Sequence, residues 1–233
     1  MQISYTNLAG PLVWACDAAM SGQAYASPWA QPVHEGYQSV SVARETGEFG
    51  ETLRQDTYLE YGAFQNWTLS GKFETVWRLN AATLDQRSAG FVRLQREIIH
   101  TDQIVVSGIV GALAGERLDD EGCGGFGSEI GASVGHSREL AGASVYAFAE
   151  ALTGARRDCE HATLDVVVGT QLNDNWTLEV KGFSEQFPGR EFIKTELTAS
   201  RKIGKFALGA GVRREVSGAF DEDSVFMSIF RKF

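Results

Sequence analysis

The chain has 233 residues, a formal net charge of −9, 26 glycines and only four prolines. The acidic balance argues against nucleic acid as a partner, because phosphate backbones attract proteins through lysine and arginine. The longest strongly apolar stretch, residues 103–115, is too short for a membrane-spanning helix, so the chain is either soluble or crosses a membrane as strands. Strands that alternate polar and apolar residues would explain the unremarkable mean hydropathy of −0.16.

Residues 1–26 differ from the rest of the chain. Met1 to Cys16 carries no charged side chain, and Ala24-Tyr25-Ala26 resembles the small-x-small cleavage site of an exported protein. A signal peptide normally has Lys or Arg ahead of its apolar region, and none precedes Leu12. The sequence therefore predicts an export segment over 1–26 and one barrel domain over 27–233, with a short N-terminal arm as the alternative to export.

From Gly36 onward, two-residue alternation and turn sequences predict strands of about ten residues. The last of them places Val225, Met227 and Ile229 on one face and ends on Phe233, which is typical of outer-membrane barrels. We expect an all-β fold, a transmembrane antiparallel up-and-down β-barrel of about 12 strands. The count falls to about ten if the first and seventh segments are not strands. The predicted strands cover residues 36–45, 52–63, 67–78, 88–99, 103–114, 128–138, 143–153, 163–171, 176–186, 191–201, 206–216 and 223–233.

The connections between these strands form two alternating classes. Those in the longer class are more acidic, notably residues 116–127, 154–162 and 217–222. Short periplasmic turns and longer outer loops alternate in the same way in up-and-down barrels, so we expect both ends of the barrel domain on the short-turn side. The short connections are residues 64–66, 100–102, 139–142, 172–175 and 202–205.

The two faces of the strands differ in charge. The strand that begins at Trp176 has Leu178 and Val180 on its apolar face, and Glu179 and Lys181 alternate with them. A Lys or Arg facing lipid at the bilayer midplane would cost about 2–4 kcal/mol, so we expect the charged faces to line the interior. The candidate lumen-lining residues are Arg54, Asp56, Glu60, Lys72, Glu74, Arg93, Glu97, Glu179, Lys181, Lys194, Glu196, Arg213 and Glu215.

A ring of mixed charge supports two functions. It can line a narrow aqueous pore and select small solutes by size and charge. It can also close the lumen through ion pairs and side-chain packing, which would leave a structural or surface-interaction barrel without transport. We expect a porin-like channel for passive passage of small solutes, with the closed barrel as the alternative and no cofactor or metal.

Enzymatic function is a less favoured alternative. Barrel hydrolases need a His beside a Ser, and the adjacent His136 and Ser137 point to opposite faces of a strand. Carboxylates near the outer rim, Asp119, Asp120, Asp221 and Asp223, are candidates for an acidic dyad, but such clusters are commonly solvated. We therefore predict that the protein is not an enzyme.

Two cysteines bear on the compartment. Loss of residues 1–26 would leave only Cys123 and Cys159, which fall in consecutive predicted outer loops. A disulfide between them would fit an oxidising compartment, and two unpaired thiols in a reducing one are the alternative.

One stretch resembles a known family. Trp29 and Gly36 precede the first predicted strand, and Tyr58-Leu-Glu-Tyr-Gly-Ala-Phe-Gln-Asn-Trp-Thr-Leu-Ser-Gly71 joins the second strand to the third. This stretch resembles outer-membrane barrels classed as phenol-degradation-pathway transporters. The resemblance implies a channel or uptake role for small molecules in the outer membrane of a Gram-negative bacterium.

The expected partners follow from an outer-membrane barrel. They are membrane lipid and lipopolysaccharide, small solutes, and the barrel-assembly machinery, which would recognise the C-terminal strand through Phe233. Arg231 departs from the hydrophobic residue usual at its position in that strand. An arginine near the membrane interface can extend its guanidinium to water, so the departure weakens the assembly signal without removing it.

Overall fold

The computed structural model describes residues 28–47, 50–79, 85–116, 124–157, 159–187, 189–218 and 221–233, so the predicted export segment 1–26 lies outside the described residues. Twelve β-strands make up these ranges. No helix among the described residues is long and apolar enough to span a membrane. The strands are β1 (Gly36–Gly47), β2 (Gly50–Phe64), β3 (Trp67–Arg78), β4 (Asp85–His100), β5 (Ile104–Gly115), β6 (Gly127–Leu140), β7 (Ala143–Arg156), β8 (Cys159–Asn173), β9 (Trp176–Phe187), β10 (Arg190–Ile203), β11 (Phe206–Ser217) and β12 (Asp223–Lys232).

The sheet closes on itself. Each strand pairs antiparallel with its neighbours in sequence, and β12 pairs antiparallel with β1. At the seam the Gly36 amide donates to the Phe233 carbonyl at 2.8 Å, and the Phe233 amide donates to the Gly36 carbonyl at 3.0 Å. The prediction of a twelve-stranded up-and-down barrel is confirmed, and the alternative of ten strands is wrong because both doubtful segments are paired strands, β1 and β7.

The two ends of the barrel differ less in loop length than the sequence predicts. The short-turn end carries connections 65–66, 101–103, 141–142, 174–175 and 204–205. At the opposite end the predicted loop 154–162 is largely strand, because β7 continues to Arg156 and β8 begins at Cys159. Gly154 and His161, whose residue types suggest a loop, are paired across these two strands. Tilted barrel strands must be long, which explains the extension.

The outer surface of the barrel wall is apolar. Val180, Leu197 and Met227 are exposed on it, the last of them to 71%. Three arginines on this surface lie over aromatic rings near the short-turn end, with centroid distances of 5.2–5.8 Å: Arg96 over Trp67, Arg201 over Trp176 and Arg231 over Phe206. Aromatic rings at the edges of an apolar band are typical of barrels in membranes, and the ring beneath Arg231 explains how a cation is tolerated there.

Residues 28–35, which we name the inner segment, precede β1. Residues 28–31 lie inside the barrel, and residues 32–35 are exposed. Ser107 of β5 donates to the Pro28 carbonyl at 2.6 Å, and the Gln31 side chain donates to Glu60 of β2 at 2.7 Å. The Trp29 ring meets the Phe148 ring of β7 edge to face, with centroids 6.4 Å apart. These partners belong to strands on different sides of the barrel, so the inner segment crosses the lumen.

Candidate solute pathway

The structure places the charged residues that the sequence assigns to the lumen on the inner face of the barrel wall. On β9, Glu179 and Lys181 are buried and alternate with the exposed Leu178 and Val180. The same alternation holds along β2, β3, β4, β10 and β11. The predicted inner charges therefore come from six strands, whose outer faces are largely apolar.

Six of the inner charges form a continuous chain, which we name the ion-pair belt. Lys181 Nζ lies 3.5 Å from Glu179 Oε2 and 3.3 Å from Glu196 Oε1. Arg213 Nη2 lies 2.8 Å from Glu196 Oε2, and its Nη1 reaches Glu45 Oε1 at 4.0 Å. Arg54 donates from Nε to the same Glu45 oxygen at 2.7 Å. The ion-pair belt thus joins β9, β10, β11, β1 and β2 across the barrel seam.

A second cluster is centred on Arg93 of β4. Its Nε donates to Glu129 Oε1 at 2.5 Å, and its Nη1 donates to Glu150 Oε1 at 3.0 Å. The guanidinium also lies 3.7 Å from the centre of the Phe91 ring. On β5, Gly111 leaves room for the cluster, since a Cβ there would lie 2.7 Å from Glu129 Oε1. The cluster therefore reaches across the inner face of β5, from Arg93 on β4 to Glu129 on β6 and Glu150 on β7.

The remaining predicted lumen residues also lie on the inner face, and most of them have a polar partner. Lys72 pairs with Glu74 on the same strand, and Lys194 Nζ lies 2.9 Å from Glu222. Glu60 accepts from Tyr58 at 2.5 Å as well as from Gln31. Glu97 accepts from the Ala30 amide at 3.3 Å, while Asp56 and Glu215 lie on the inner faces of β2 and β11.

The inner segment fits against glycines of the wall. A Cβ on Gly135 would lie 2.3 Å from Pro28 Cγ and 2.8 Å from the Trp29 ring, and a Cβ on Gly62 would lie 2.0 Å from the Pro32 carbonyl oxygen. The Gln31 amide donates to Thr68 Oγ1 at 2.9 Å, close to the start of β3. The inner segment is therefore held by shape and by hydrogen bonds near the short-turn end.

A cavity of about 240 Å³ remains in the lumen. Its lining includes five basic residues, Arg54, Lys72, Arg93, Lys194 and Arg213, and carboxylates that include Glu150 and Asp165. Five aromatic rings complete the wall: Tyr58, Phe91, Phe148, Phe183 and Phe192. The cavity is consequently both charged and aromatic.

Sequence reasoning missed several inner carboxylates and the inner segment. Glu129, Glu150 and Asp165 lie on β6, β7 and β8, where small and apolar residues occupy both faces and the parity is ambiguous. The structure settles β7, because Tyr146 and Phe148 are buried inside with Val167. Glu45 was missed although its position opposite Thr52 in the β1–β2 register makes it an inner residue.

The other predicted positions fall as follows. Cys159 begins β8, and Cys123 lies outside the described residues, so their disulfide stays a prediction. The Phe233 ring lies over Gly36, where a Cβ would be 2.4 Å from it. His136 and Ser137 are consecutive residues of β6, so they face opposite sides. Asp119 and Asp120 lie outside the described residues, and Asp223 is an exposed rim residue 3.6 Å from Arg214.

Sequence comparisons identify no relative. No protein-family model matches the chain. No curated protein sequence matches it either.

Solved structures share the fold. The NanC porin matches with a TM-score of 0.61 at 10% identity, over 84% of this chain and all (100%) of that one. The COG4313 outer membrane channel from Pseudomonas putida F1 matches with a TM-score of 0.55 at 12% identity, over 91% of this chain and 100% of the other. A KdgM porin in complex with disordered oligogalacturonate gives 0.54 at 12% identity, over 84% and 99%. The chain therefore has a barrel fold that is also found in outer-membrane porins and channels.

Proposed function

We propose that the protein is an outer-membrane channel of a Gram-negative bacterium that passes small solutes through a narrow, charged lumen. The observation that carries the proposal is a cavity of about 240 Å³ with charged walls inside a barrel whose outer surface is apolar. An apolar exterior suits lipid, and a charged interior suits water and polar solutes. The shared fold with porins and a channel adds support.

Several features of the pathway suggest that it is narrow. The ion-pair belt and the Arg93 cluster occupy much of the wall with side chains that hold one another in place. The inner segment crosses the lumen near the short-turn end, where Pro28 is almost fully buried. We propose that this segment forms the tightest part of the pathway and limits the size of solutes.

The envelope setting completes the proposal. Residues 1–26 would direct export, and Cys123 and Cys159 would form a disulfide in the oxidising periplasm. Lipid and lipopolysaccharide would surround residues 27–233, and Phe233 would present the last strand to the barrel-assembly machinery. The resemblance to phenol-degradation-pathway transporters stays a prediction about the solute class.

A closed barrel is the second candidate, and one observation favours it. All five basic residues around the cavity have a carboxylate partner, so the wall has the paired charge of a filled barrel. Such a barrel would act at the surface or in the envelope structure without passing solutes. The two candidates differ in one measurable property, which is conductance.

The test is single-channel conductance of the full chain refolded into a planar bilayer. Heat-modifiable gel migration of the same sample would establish that the barrel had folded. We expect small, stable current steps from the wild type. A folded barrel that gives no steps would overturn the channel proposal.

A variant at Gly135 tests whether the inner segment limits the current. In Gly135→Val, the new side chain overlaps Pro28 and Trp29, so we expect displacement of the inner segment, larger current steps and a cost of about 1–3 kcal/mol in stability. Gly182→Val is the matched control, because a Cβ on Gly182 meets nothing within 4 Å. Equal conductance in the two variants would contradict the proposed role of the segment.

A further inference from the structure

The basic residues that line the cavity are already paired with carboxylates. Each of its five basic residues has an acidic partner at ion-pair distance: Glu45 for Arg54, Glu74 for Lys72, Glu129 for Arg93, Glu222 for Lys194 and Glu196 for Arg213. These pairs do not include Asp165, and they leave Glu150 to share Arg93 with Glu129. An anionic ligand would therefore find no cation that is not already paired with a carboxylate.

Glu150 and Asp165 face each other directly. They are register partners across β7 and β8, and both line the cavity. Like charges directly opposite on neighbouring strands destabilise a sheet, because their side chains begin only about 5 Å apart. A positive group between them would remove that repulsion.

Glu150 also has an oxygen that lacks a partner. The residue is 3% exposed, and its Oε1 accepts from Arg93 at 3.0 Å. Its Oε2 is buried and has no hydrogen-bond partner in the part of the chain that the structure describes. An unmade hydrogen bond at a buried carboxylate costs more than one at a neutral group, so this oxygen points to a missing donor.

We propose that the cavity binds a small organic cation, an ammonium group on an aromatic or apolar body. The ammonium would lie between Glu150 and Asp165 and donate to Glu150 Oε2. The apolar body would lie against the Phe148 and Phe183 rings, which line the same cavity. The inference rests on the proposed function only in taking this cavity as part of the solute pathway.

The chemistry of the wall favours an organic cation over a metal ion. Calcium takes six to eight oxygen ligands and magnesium prefers six, whereas the opposed pair offers two carboxylates. Aromatic rings add little to the binding of hard metal ions but attract ammonium groups through their faces. The cavity of about 240 Å³ is small for a ligand site, which limits the body to one ring or a short chain.

The experiment measures binding of benzylammonium to the full refolded chain by isothermal titration calorimetry in detergent. Benzoate and benzyl alcohol are the matched probes, since they keep the ring and replace the ammonium with an anion or a neutral hydroxyl. We expect benzylammonium to bind and the two other probes to bind at least about tenfold more weakly, the effect of losing one charged hydrogen bond. Benzoate binding as tightly as benzylammonium would overturn the proposal.

The central variant is Asp165→Asn, which keeps the shape and removes one of the two opposed charges. We expect it to weaken benzylammonium binding about tenfold. Because the variant also removes repulsion across β7 and β8, the barrel should fold and be at least as stable as the wild type. A loss of affinity without a loss of stability would separate a ligand site from a structural role, and an unchanged affinity would overturn the proposal.

Glu160→Gln is the control, because Glu160 is an exposed residue of the same strand. It should leave benzylammonium binding unchanged, and an equal loss in both variants would show that general negative charge, and not the site, attracts the ligand. Conductance keeps the two proposals distinguishable. Binding without current steps would sink the channel and leave the site, and current steps without binding would sink the site and leave the channel.

Discussion

The inner faces of β9–β10 and of β5 are equally buried but differ completely in chemistry. Lys181 of β9 and Val105 of β5 are each 1% exposed. On β9 and β10, charged side chains are buried against one another through the ion-pair belt. On β5, Val105, Ile109 and Leu113 are buried without any charge, and Ser107 between them binds the inner segment. One lumen thus has a charged wall and an apolar wall.

Side chains that point into this barrel are therefore not always polar. A wall that meets a cavity must offer polar groups, and these need partners once they are buried. A wall that is covered from inside by the chain itself can be apolar, like a strand of a buried sheet with both faces covered. On β5 the inner segment contacts the wall at Ser107, and the Arg93 cluster lies over Gly111.

The largest effect is expected from breaking the charged wall at Lys181. Lys181→Met leaves Glu179 and Glu196 buried without their shared cation, so we expect a loss of about 3–5 kcal/mol in the free energy of unfolding. Urea unfolding in lipid vesicles would measure it. Lys202→Met is the matched control at an exposed position near the end of the next strand, β10, and should change little. Equal losses in the two variants would mean that the belt is hydrated and not dry.

A smaller effect is expected from the apolar wall. Ile109 is 2% exposed, so Ile109→Val opens a small gap and should cost about 0.5–1.5 kcal/mol by the same measurement. Ile130→Val on the neighbouring β6 is the control, because Ile130 is exposed on the outer surface. If the two variants lose the same stability, β5 is not covered from inside, and the contrast between the walls fails.

The smallest loss of stability is expected from an exposed ion pair in the β1–β2 hairpin, and a buried ion pair in the same hairpin is its comparison. Arg44 and Glu51 pair at 2.8 Å across β1 and β2 with side chains 61% and 37% exposed, whereas Arg54 and Glu45 pair at 2.7 Å across the same strands with 8% and 4% exposed. Arg44→Met should cost less than about 1 kcal/mol, and salt should reduce even that.

Arg54→Met in the same hairpin provides the comparison. It should cost about 1.5–3 kcal/mol with little response to salt, because the Glu45 carboxylate stays buried and keeps only the longer contact with Arg213. Unfolding at low and high salt would measure both variants. Matching losses for Arg44→Met and Arg54→Met would show that the pairing alone, and not the burial, sets the stability.

The sequence predicted the architecture well because one physical rule repeats along it. Alternation with a two-residue period, together with the cost of charge in lipid, was enough to predict twelve strands and to assign Glu179, Lys181 and Glu196 to inner faces, where the structure places them. On β5 to β8 the rule does not show which face of the strand points inward. Ile109 and Val110 are both apolar yet face opposite sides, so the period is invisible there.

The position of the inner segment could not be predicted from the sequence, for a different reason. Pro28 and Trp29 precede β1 and have no period, and their contacts with Ser107, Gly135 and Phe148 join residues far apart in the chain. The glycine at position 135 looks like any strand glycine until the opposing Pro28 is known. The predicted loop 154–162 was too long for a similar reason. Gly154 is a residue type common in turns, yet it is paired with His161 across β7 and β8.

Glu45 has a consequence for how the barrel assembles. It accepts from Arg54 of the adjacent strand and lies within reach of Arg213, which β12 separates from it around the barrel. The pair between β1 and β11 forms only when the two ends of the sheet have met, so closure adds a second cation beside Glu45. Contacts between such distant residues form slowly, and a sheet that is still open would leave Arg213 short of one of its carboxylates. The contact between Glu45 and Arg213 therefore links closure of the sheet to completion of the ion-pair belt.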